Sequence, residues 1–381
     1  MNFGTGLLFL ILLVSGAWAA PPGDACGEIR VDRRAPPARP IRIPIRNQDS
    51  APNCYSHSAA TMATAYLQAS GRLGLADQVS AEALYARMTS ERAERLDINT
   101  GRTCNAIRAL SDFGVCSHER VVGAMRAFYD SLTIEGFQSE PSFQAWMGTL
   151  EAIYGRYSLP GSFSSTVLTP ELAAEQICMD LSRELRIPRN LLPSLPAIAA
   201  AVRAQDPTVF QSMVTGQGCR QPLLTSQAVR QLPMPACENF DFRPELQNGR
   251  RVLRPSSEFE AELHRQLERP GALPVGIEYC AEALVSPDTN HIRRRDFRAN
   301  LNYLDDDDAA LENFTPSCGF HASVVIGRRR MPDGQCYFMV QNSYGESCDG
   351  YGLAEGYCDR GRIWVRADRL AANTFRIARL R

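Results

Sequence analysis

Lysine is missing from this chain. All 41 basic side chains among its 381 residues are arginines. Schiff-base catalysis, the phosphate-binding loop of many ATPases and the serine–lysine dyad each require a lysine amine. The sequence therefore excludes pyridoxal-dependent enzymes and Walker-type ATPases.

An excess of charge of one sign is also missing. The 41 basic residues are balanced by 42 acidic ones, so the net charge is -1. Binding to nucleic acid or to an anionic membrane surface usually requires a strongly basic face. We therefore expect no nucleic acid and no membrane as a partner.

Long apolar runs are few. The run from Leu7 to Val14 is followed by the small-residue pattern Ala17-Trp18-Ala19, which is typical of a secretory signal peptide over residues 1–19. An uncleaved membrane anchor is the alternative, although the run is too short to span a bilayer comfortably. We expect a secreted or periplasmic protein.

Paired, closely spaced cysteines of the kind that hold zinc are absent as well. The chain has twelve cysteines, but their spacing predicts no metal site, and no motif points to a cofactor. In an exported protein the usual state of cysteine is the disulfide. We therefore expect disulfides, no metal and no cofactor.

The order of the predicted elements divides the chain into regions. Residues 20–41 form a proline-rich arm that should carry little structure. Residues 42–120 and 121–250 show helix and loop signals, whereas residues 251–381 hold several strand patterns. Helices thus precede a sheet, which indicates an α+β protein.

One predicted helix carries a candidate nucleophile. Asn53 suits an N-cap and Gly71 a C-terminal cap, so a helix of about sixteen residues should begin at Cys54. Its many small residues favour a central, buried position. The positive end of a helix dipole lowers the pKa of a thiol, so we expect a Cys54 thiolate paired with an imidazolium.

A predicted β-hairpin carries a candidate base. His321 lies at the start of its first strand and Asn342 at the end of its second, and their midpoint falls in the turn Met331-Pro332-Asp333-Gly334. Antiparallel pairing should bring the two side chains together. The Asn342 amide oxygen can then hold one ring nitrogen of His321 and leave the other free to act as a base.

Two further residues belong to this hypothesis. Gln48 precedes Cys54 by six residues, and its amide can join the Cys54 backbone N–H in stabilising an oxyanion. His57 lies one turn along the same helix and is an alternative base, but no residue is identified that would orient it.

These segments resemble those of papain-like cysteine peptidases. Arg46-Asn47-Gln48 and Cys54-Tyr55 resemble the nucleophile segment. Gly319-Phe320-His321-Ala322 resembles the histidine segment, and Gln341-Asn342-Ser343-Tyr344-Gly345 resembles the asparagine segment. The resemblance covers residues 42–120 and 255–381.

The resemblance implies a fold, a reaction and a set of roles. The fold would combine a helical half over residues 42–120 with an antiparallel, β-barrel-like half over residues 251–381. Cys54 would be the nucleophile, His321 the base, Asn342 its orienting partner and Gln48 the oxyanion donor. A monomer would hydrolyse protein or peptide substrates through a thioester.

The chain also departs from the family. Ala51-Pro52-Asn53 stands where the family has a cysteine, a glycine and a small residue. The separation between Cys54 and His321 is about twice the family's ~130 residues, which predicts an inserted helical subdomain at residues 121–250. Tyr344 replaces a tryptophan. Acyl transfer on the same triad and a catalytically silent binding scaffold therefore remain as alternatives.

The cysteine count gives a last expectation. A reduced Cys54 leaves an odd number of other cysteines, so one more must lack a partner within the chain. Cys26, on the arm, is predicted to be that cysteine, and Cys348–Cys358 is the predicted local disulfide. The alternative is that Cys54 is itself half of a disulfide.

Overall fold

The structure is a computed structural model, and it describes these residues: 26–33, 38–48, 53–92, 103–121, 143–158, 168–187, 189–205, 207–217, 219, 222–231, 236–241, 245–247, 250–252, 256–280, 284, 320–348, 351 and 356–380. The predicted signal peptide lies outside the described residues. None of the described helices is long and apolar enough to cross a membrane.

The helices are concentrated in the first two thirds of the chain. They are α1 Cys54–Ala69, α2 Ala81–Arg92, α3 Thr103–Phe113, α4 Phe143–Ser158, α5 Pro170–Arg183, α6 Leu195–Ala204, α7 Pro207–Gln217, α8 Ser226–Gln231, α9 Ser256–Glu268 and α10 Ala367–Asn373.

Apart from the first one, the strands begin at residue 237 or later. They are β1 Ile29–Arg30, β2 Cys237–Asp241, β3 Glu245–Gln247, β4 Arg250–Val252, β5 Val275–Cys280, β6 Phe320–Arg330, β7 Cys336–Gln341, β8 Cys358–Asp359, β9 Arg362–Arg366 and β10 Thr374–Leu380.

The main sheet is antiparallel and open. Its strands follow the order β2-β10-β5-β6-β7-β9-β8, with β1 added on β6, while β3 and β4 form a separate ribbon. The molecule is therefore α+β, as predicted. The prediction of a β-barrel-like half is wrong for the described residues, because edge strands β2 and β8 lie at opposite ends of the sheet and the sheet does not close. The Cys104–Cys237 disulfide holds β2 at α3 instead.

Helix α1 lies at the centre of the molecule. Every residue of α1 except Tyr66 and Ala69 is buried, and the helix packs on β5, β6, α2 and α3. The predicted start, end and burial are confirmed. Gly71 has a φ of 72°, which favours glycine. Asn53 forms no side-chain cap, and its amide is buried instead.

Residues 121–250 were predicted to be a helical insertion. Helices α4 to α8 fall in this range, and α4 to α7 bury a second hydrophobic core around Trp146, Leu150 and Phe210, to which Ala83 of α2 also belongs. Helix α7 packs on α2. The range is not wholly helical, since strands β2 and β3 lie at its C-terminal end. The backbone of β2 gains hydrogen-bond partners by pairing with β10.

The N-terminal arm is fastened to the sheet over residues 26–33, contrary to expectation. Ile29 and Arg30 pair with β6, and Asp32 forms an ion pair of 3.1 Å with Arg362. Residues 26–33 contain no proline, so every backbone N–H there can join a sheet.

Disulfides occupy most of the cysteines. The described pairs are Cys26–Cys336, Cys104–Cys237, Cys116–Cys219 and Cys348–Cys358. Cys280 is also disulfide-bonded. The prediction for Cys348–Cys358 is confirmed. The prediction that Cys26 lacks a partner is wrong, because the arm lies beside Cys336 and the two cysteines form a disulfide. Among the described cysteines the free thiols are Cys54 and Cys178.

Candidate active site

The side chains of His321 and Asn342 are joined by a hydrogen bond of 2.6 Å between Nε2 and Oδ1. The backbone N–H of Ser343 donates to the same Asn342 atom at 2.8 Å. Because an N–H can only donate, that atom is the amide oxygen. The oxygen must therefore accept from Nε2–H of His321, which leaves Nδ1 with the lone pair of a base.

The strand register explains this contact. Val324 pairs with Gln341, and a bulge interrupts the β6–β7 ladder between Val325 and Gly327. Continued by one step, this register places Asn342 opposite Ser323, so that His321 is its diagonal neighbour. Diagonal side chains lie about 7–8 Å apart at the backbone, within reach of an imidazole. The midpoint argument from the sequence thus found the right neighbours but missed the bulge.

Cys54 lies against the strand that carries His321. The hydroxyl of Ser58, one turn after Cys54, donates to the backbone carbonyl of Ser323 at 3.1 Å. Four helical residues span about 6 Å and two strand residues about 6.6 Å, so a helix that runs in the same direction as β6 brings Cys54 level with His321. Consistent with this, the backbone N–H of Ala322 lies close enough to the Cys54 sulfur to lower the pKa of the thiol.

Gln48 is held beside the asparagine. Its side-chain Oε1 accepts a hydrogen bond from the hydroxyl of Ser343, and its backbone N–H donates to the Ser343 carbonyl at 2.7 Å. With Oε1 fixed by a donor, the Gln48 amide has one orientation. The four residues predicted from the sequence thus fall in one region: Cys54 against β6, His321 bonded to Asn342, and Gln48 on the residue that follows Asn342.

Burial dominates the electrostatics of the pair. It raises the pKa of the Cys54 thiol to about 12, against the smaller effect of nearby backbone N–H groups. It lowers the pKa of His321 to about 4, partly offset by the bond to Asn342. Both groups are uncharged at neutral pH in this conformation.

This result corrects the predicted thiolate–imidazolium pair. The end of a helix stabilises a charge by about 0.3–1 kcal/mol, or less than one pKa unit. Cys54 is only 6% exposed and His321 only 2% exposed, so the loss of hydration outweighs the helix end.

Two tyrosines pack against the imidazole. Tyr344 lies over His321 with ring centroids 4.9 Å apart, at the position where the sequence departs from the tryptophan of papain-like peptidases. Tyr279 meets the ring edge-on at 5.7 Å. These contacts shield the His321–Asn342 bond from water on two sides.

His57, the alternative base, is poorly placed for catalysis. Burial lowers its pKa to about 3, and neither ring nitrogen has a hydrogen-bond partner in the structure. It lines a cavity with Arg46, Ser323 and Asn342 of about 10 Å³, room for about one water molecule. His57 therefore borders the site from behind and lacks an orienting group.

Sequence reasoning missed the residues that hold Asn342. The hydroxyl of Ser323 donates to Asn342 Oδ1 at 3.1 Å, and Asn342 Nδ2 donates to the hydroxyl of Tyr351 at 2.8 Å. Ser323 could have been found from the period-2 alternation of a strand, which puts it on the same face as His321. No comparable signal marks Tyr351.

No family model matches the chain, and no curated protein matches it. Among solved structures, the chain is similar to PepW from Lactobacillus rhamnosis HN001, with 11% sequence identity and a TM-score of 0.42 over 91% of this chain and 82% of that one.

Proposed function

We propose that this chain is a papain-like cysteine peptidase that hydrolyses peptide bonds through a thioester on Cys54. The observation that carries the proposal is the placement of a free thiol, at the first turn of α1, against the strand whose His321 is held by Asn342. A nucleophile, a base and a group that orients the base are the parts that acyl transfer by a thiol requires.

The first step forms the acyl-enzyme. The Cys54 sulfur attacks the carbonyl carbon of the scissile bond while Nδ1 of His321 takes the thiol proton. The Cys54 backbone N–H, which has no intrahelical acceptor at a helix start, and the Gln48 amide stabilise the oxyanion. His321 then gives its proton to the leaving amine as the C–N bond breaks.

The second step releases the acid. A water molecule gives a proton to His321 Nδ1 and attacks the thioester carbonyl, and the C–S bond breaks to restore the Cys54 thiol. Both steps require an unprotonated His321. Activity should therefore fall as the pH drops through about 4, the pKa of His321.

The proposed place of action is outside the cytosol. Of the four described disulfide pairs, three connect distant parts of the chain and one is local. Disulfides persist in oxidising compartments. They support the secreted or periplasmic localisation that the sequence predicts.

A digest with mass-spectrometric readout tests the proposal. Wild-type protein and the Cys54→Ala and Cys178→Ala variants are incubated with casein and with a peptide library. Cys178 is the matched control, because it is the other free thiol among the described residues. We expect cleavage by the wild type and by Cys178→Ala but none by Cys54→Ala. Full cleavage by Cys54→Ala would refute the proposal.

A further inference from the structure

We propose that Ser323 and Tyr279 are positioning residues for the base, acting through the amide of Asn342. This inference rests on the proposed function, since it concerns how His321 is aimed at Cys54. It names two residues that lie outside the four-residue site predicted from the sequence.

The hydrogen bonds around Asn342 form a chain with one direction. Asn342 Oδ1 is an acceptor only, so the Ser323 hydroxyl donates its single proton to this oxygen, at 3.1 Å. The Tyr279 hydroxyl lies 2.9 Å from the Ser323 oxygen, and it must therefore be the donor in that bond. The protons thus all point from Tyr279 through Ser323 toward Asn342.

This series of hydrogen bonds, here called the relay, ends on the same atom that holds the base, Asn342 Oδ1. Asn342 Oδ1 accepts from Ser323, from the Ser343 backbone and from His321. The plane of the amide is fixed by these donors together, and that plane decides where Nδ1 of His321 points. Loss of one donor lets the amide rotate and turns the imidazole away from the thiol.

The relay is buried and rigidly supported. Tyr279 is fully buried and Ser323 is 3% exposed, and hydrogen bonds are stronger where water is excluded. Tyr279 stands directly opposite His321 in the β5–β6 register. Burial also raises the pKa of the Tyr279 hydroxyl well above its usual value, so the hydroxyl keeps its proton at neutral pH.

A purely structural role is the competing explanation. A serine and a tyrosine that only fill the core would affect stability but not the direction of the imidazole. The test must therefore measure the reactivity of the Cys54–His321 pair, and not only the yield of folded protein.

The first measurement uses a matched pair at position 323. Ser323→Thr keeps the hydroxyl, whereas Ser323→Val introduces a side chain of the same shape as threonine but without the hydroxyl. We expect Ser323→Thr to stay within about threefold of the wild-type kcat and Ser323→Val to lose about tenfold with KM unchanged. Tyr279→Phe, which removes one oxygen atom, should lower kcat a few-fold. This variant keeps the proposal testable if the valine variant does not fold. Equal kcat values for threonine and valine would overturn the proposal.

The second measurement does not depend on any substrate. Cys54 is alkylated with iodoacetamide across a range of pH, because this reaction also needs His321 to accept the thiol proton. We expect Ser323→Val to slow the alkylation in the wild-type background and to have no further effect in an Asn342→Ala background. A slowing that persists without Asn342 would show that Ser323 does not act through the amide.

The two measurements separate the two proposals. If the wild type cleaves no peptide but the alkylation rates follow this pattern, the peptidase assignment fails and the relay stands. If the wild type cleaves peptides and the hydroxyl at position 323 changes neither kcat nor the alkylation rate, the relay fails alone.

Discussion

Ser58 donates a hydrogen bond of 3.1 Å to the backbone carbonyl of Ser323, across 265 residues of sequence. This bond joins the helix that begins at Cys54 to the strand that carries His321. It fixes how far α1 can slide along β6, and with it the separation of the thiol and the imidazole.

Ser58→Ala should therefore lower both stability and activity. The lost hydrogen bond leaves a buried carbonyl without its partner, at a cost of about 1 kcal/mol in the free energy of unfolding. Urea denaturation of Ser58→Ala and Ser56→Ala gives the comparison. Ser56 is the matched control, because it is buried in the same helix turn and its hydroxyl has no partner in the structure. Ser56→Ala should be neutral or stabilising, and an equal loss in both variants would contradict the role of the Ser58 bond.

His321→Ala and Asn342→Ala should differ in severity. Removing the base should lower kcat/KM by about 10²–10⁴-fold. Removing its orienting amide should cost less, about 10- to 100-fold, because the imidazole is still present but misdirected. Peptide hydrolysis rates measure both. Asn373→Ala, at the end of α10, is the control for the same substitution elsewhere, and a larger loss for Asn342→Ala than for His321→Ala would contradict these roles.

Acid should destabilise the protein before the carboxylates titrate. His57 and His321 have folded-state pKa values of about 3 and about 4, below the value of about 6.5 expected in the unfolded chain. The unfolded state therefore binds more protons below pH 6.5, and stability present above that pH is lost as the pH falls toward 4. Each histidine contributes a slope of up to about 1.4 kcal/mol per pH unit.

His57→Leu isolates one part of this effect. Burial is the largest cause of the lowered pKa of His57; Glu82 raises this pKa, while Arg46, His118 and His321 lower it further. Wild type and His57→Leu are denatured at pH 7.5 and at pH 5. Between these two pH values the variant should lose less free energy of unfolding than the wild type. His57→Gln is a second variant, with a polar side chain, and should behave in the same way. The hypothesis fails if both variants lose as much stability as the wild type.

Alkylation of the native, unreduced protein should label two described cysteines. Cys178 is half-buried and should react readily, while Cys54 should react slowly because it is buried. Cys26 should stay unlabelled until the protein is reduced, because it is bonded to Cys336. Peptide mapping before and after reduction checks this. Labelling of Cys26 without reduction would mean that the arm is not fastened to the sheet.

Local signals explain what the sequence predicted well. The bounds of α1 and the strands around His321 and Asn342 depend on caps, turns and alternation within a few residues. The closeness of His321 and Asn342 followed from a single hairpin.

Long-range pairing explains the rest. The bond between Cys26 and Cys336 and the addition of β2 beside β10 connect distant residues, and no local pattern encodes such partners. The same is true of Tyr279, which faces His321 only because β5 pairs with β6. The pKa of Cys54 was mispredicted because the prediction considered the helix end alone, whereas the burial of α1 has the larger effect on the thiol.

The central claim is that Cys54 is the nucleophile and that His321 activates it. Reaction with a thiol-directed epoxide peptidase inhibitor, followed by mass mapping of the labelled peptide, tests it most directly. We expect one adduct, on Cys54, with much slower labelling in His321→Ala and normal labelling in Cys178→Ala. An adduct on the more exposed Cys178, with Cys54 unmodified, would contradict the account.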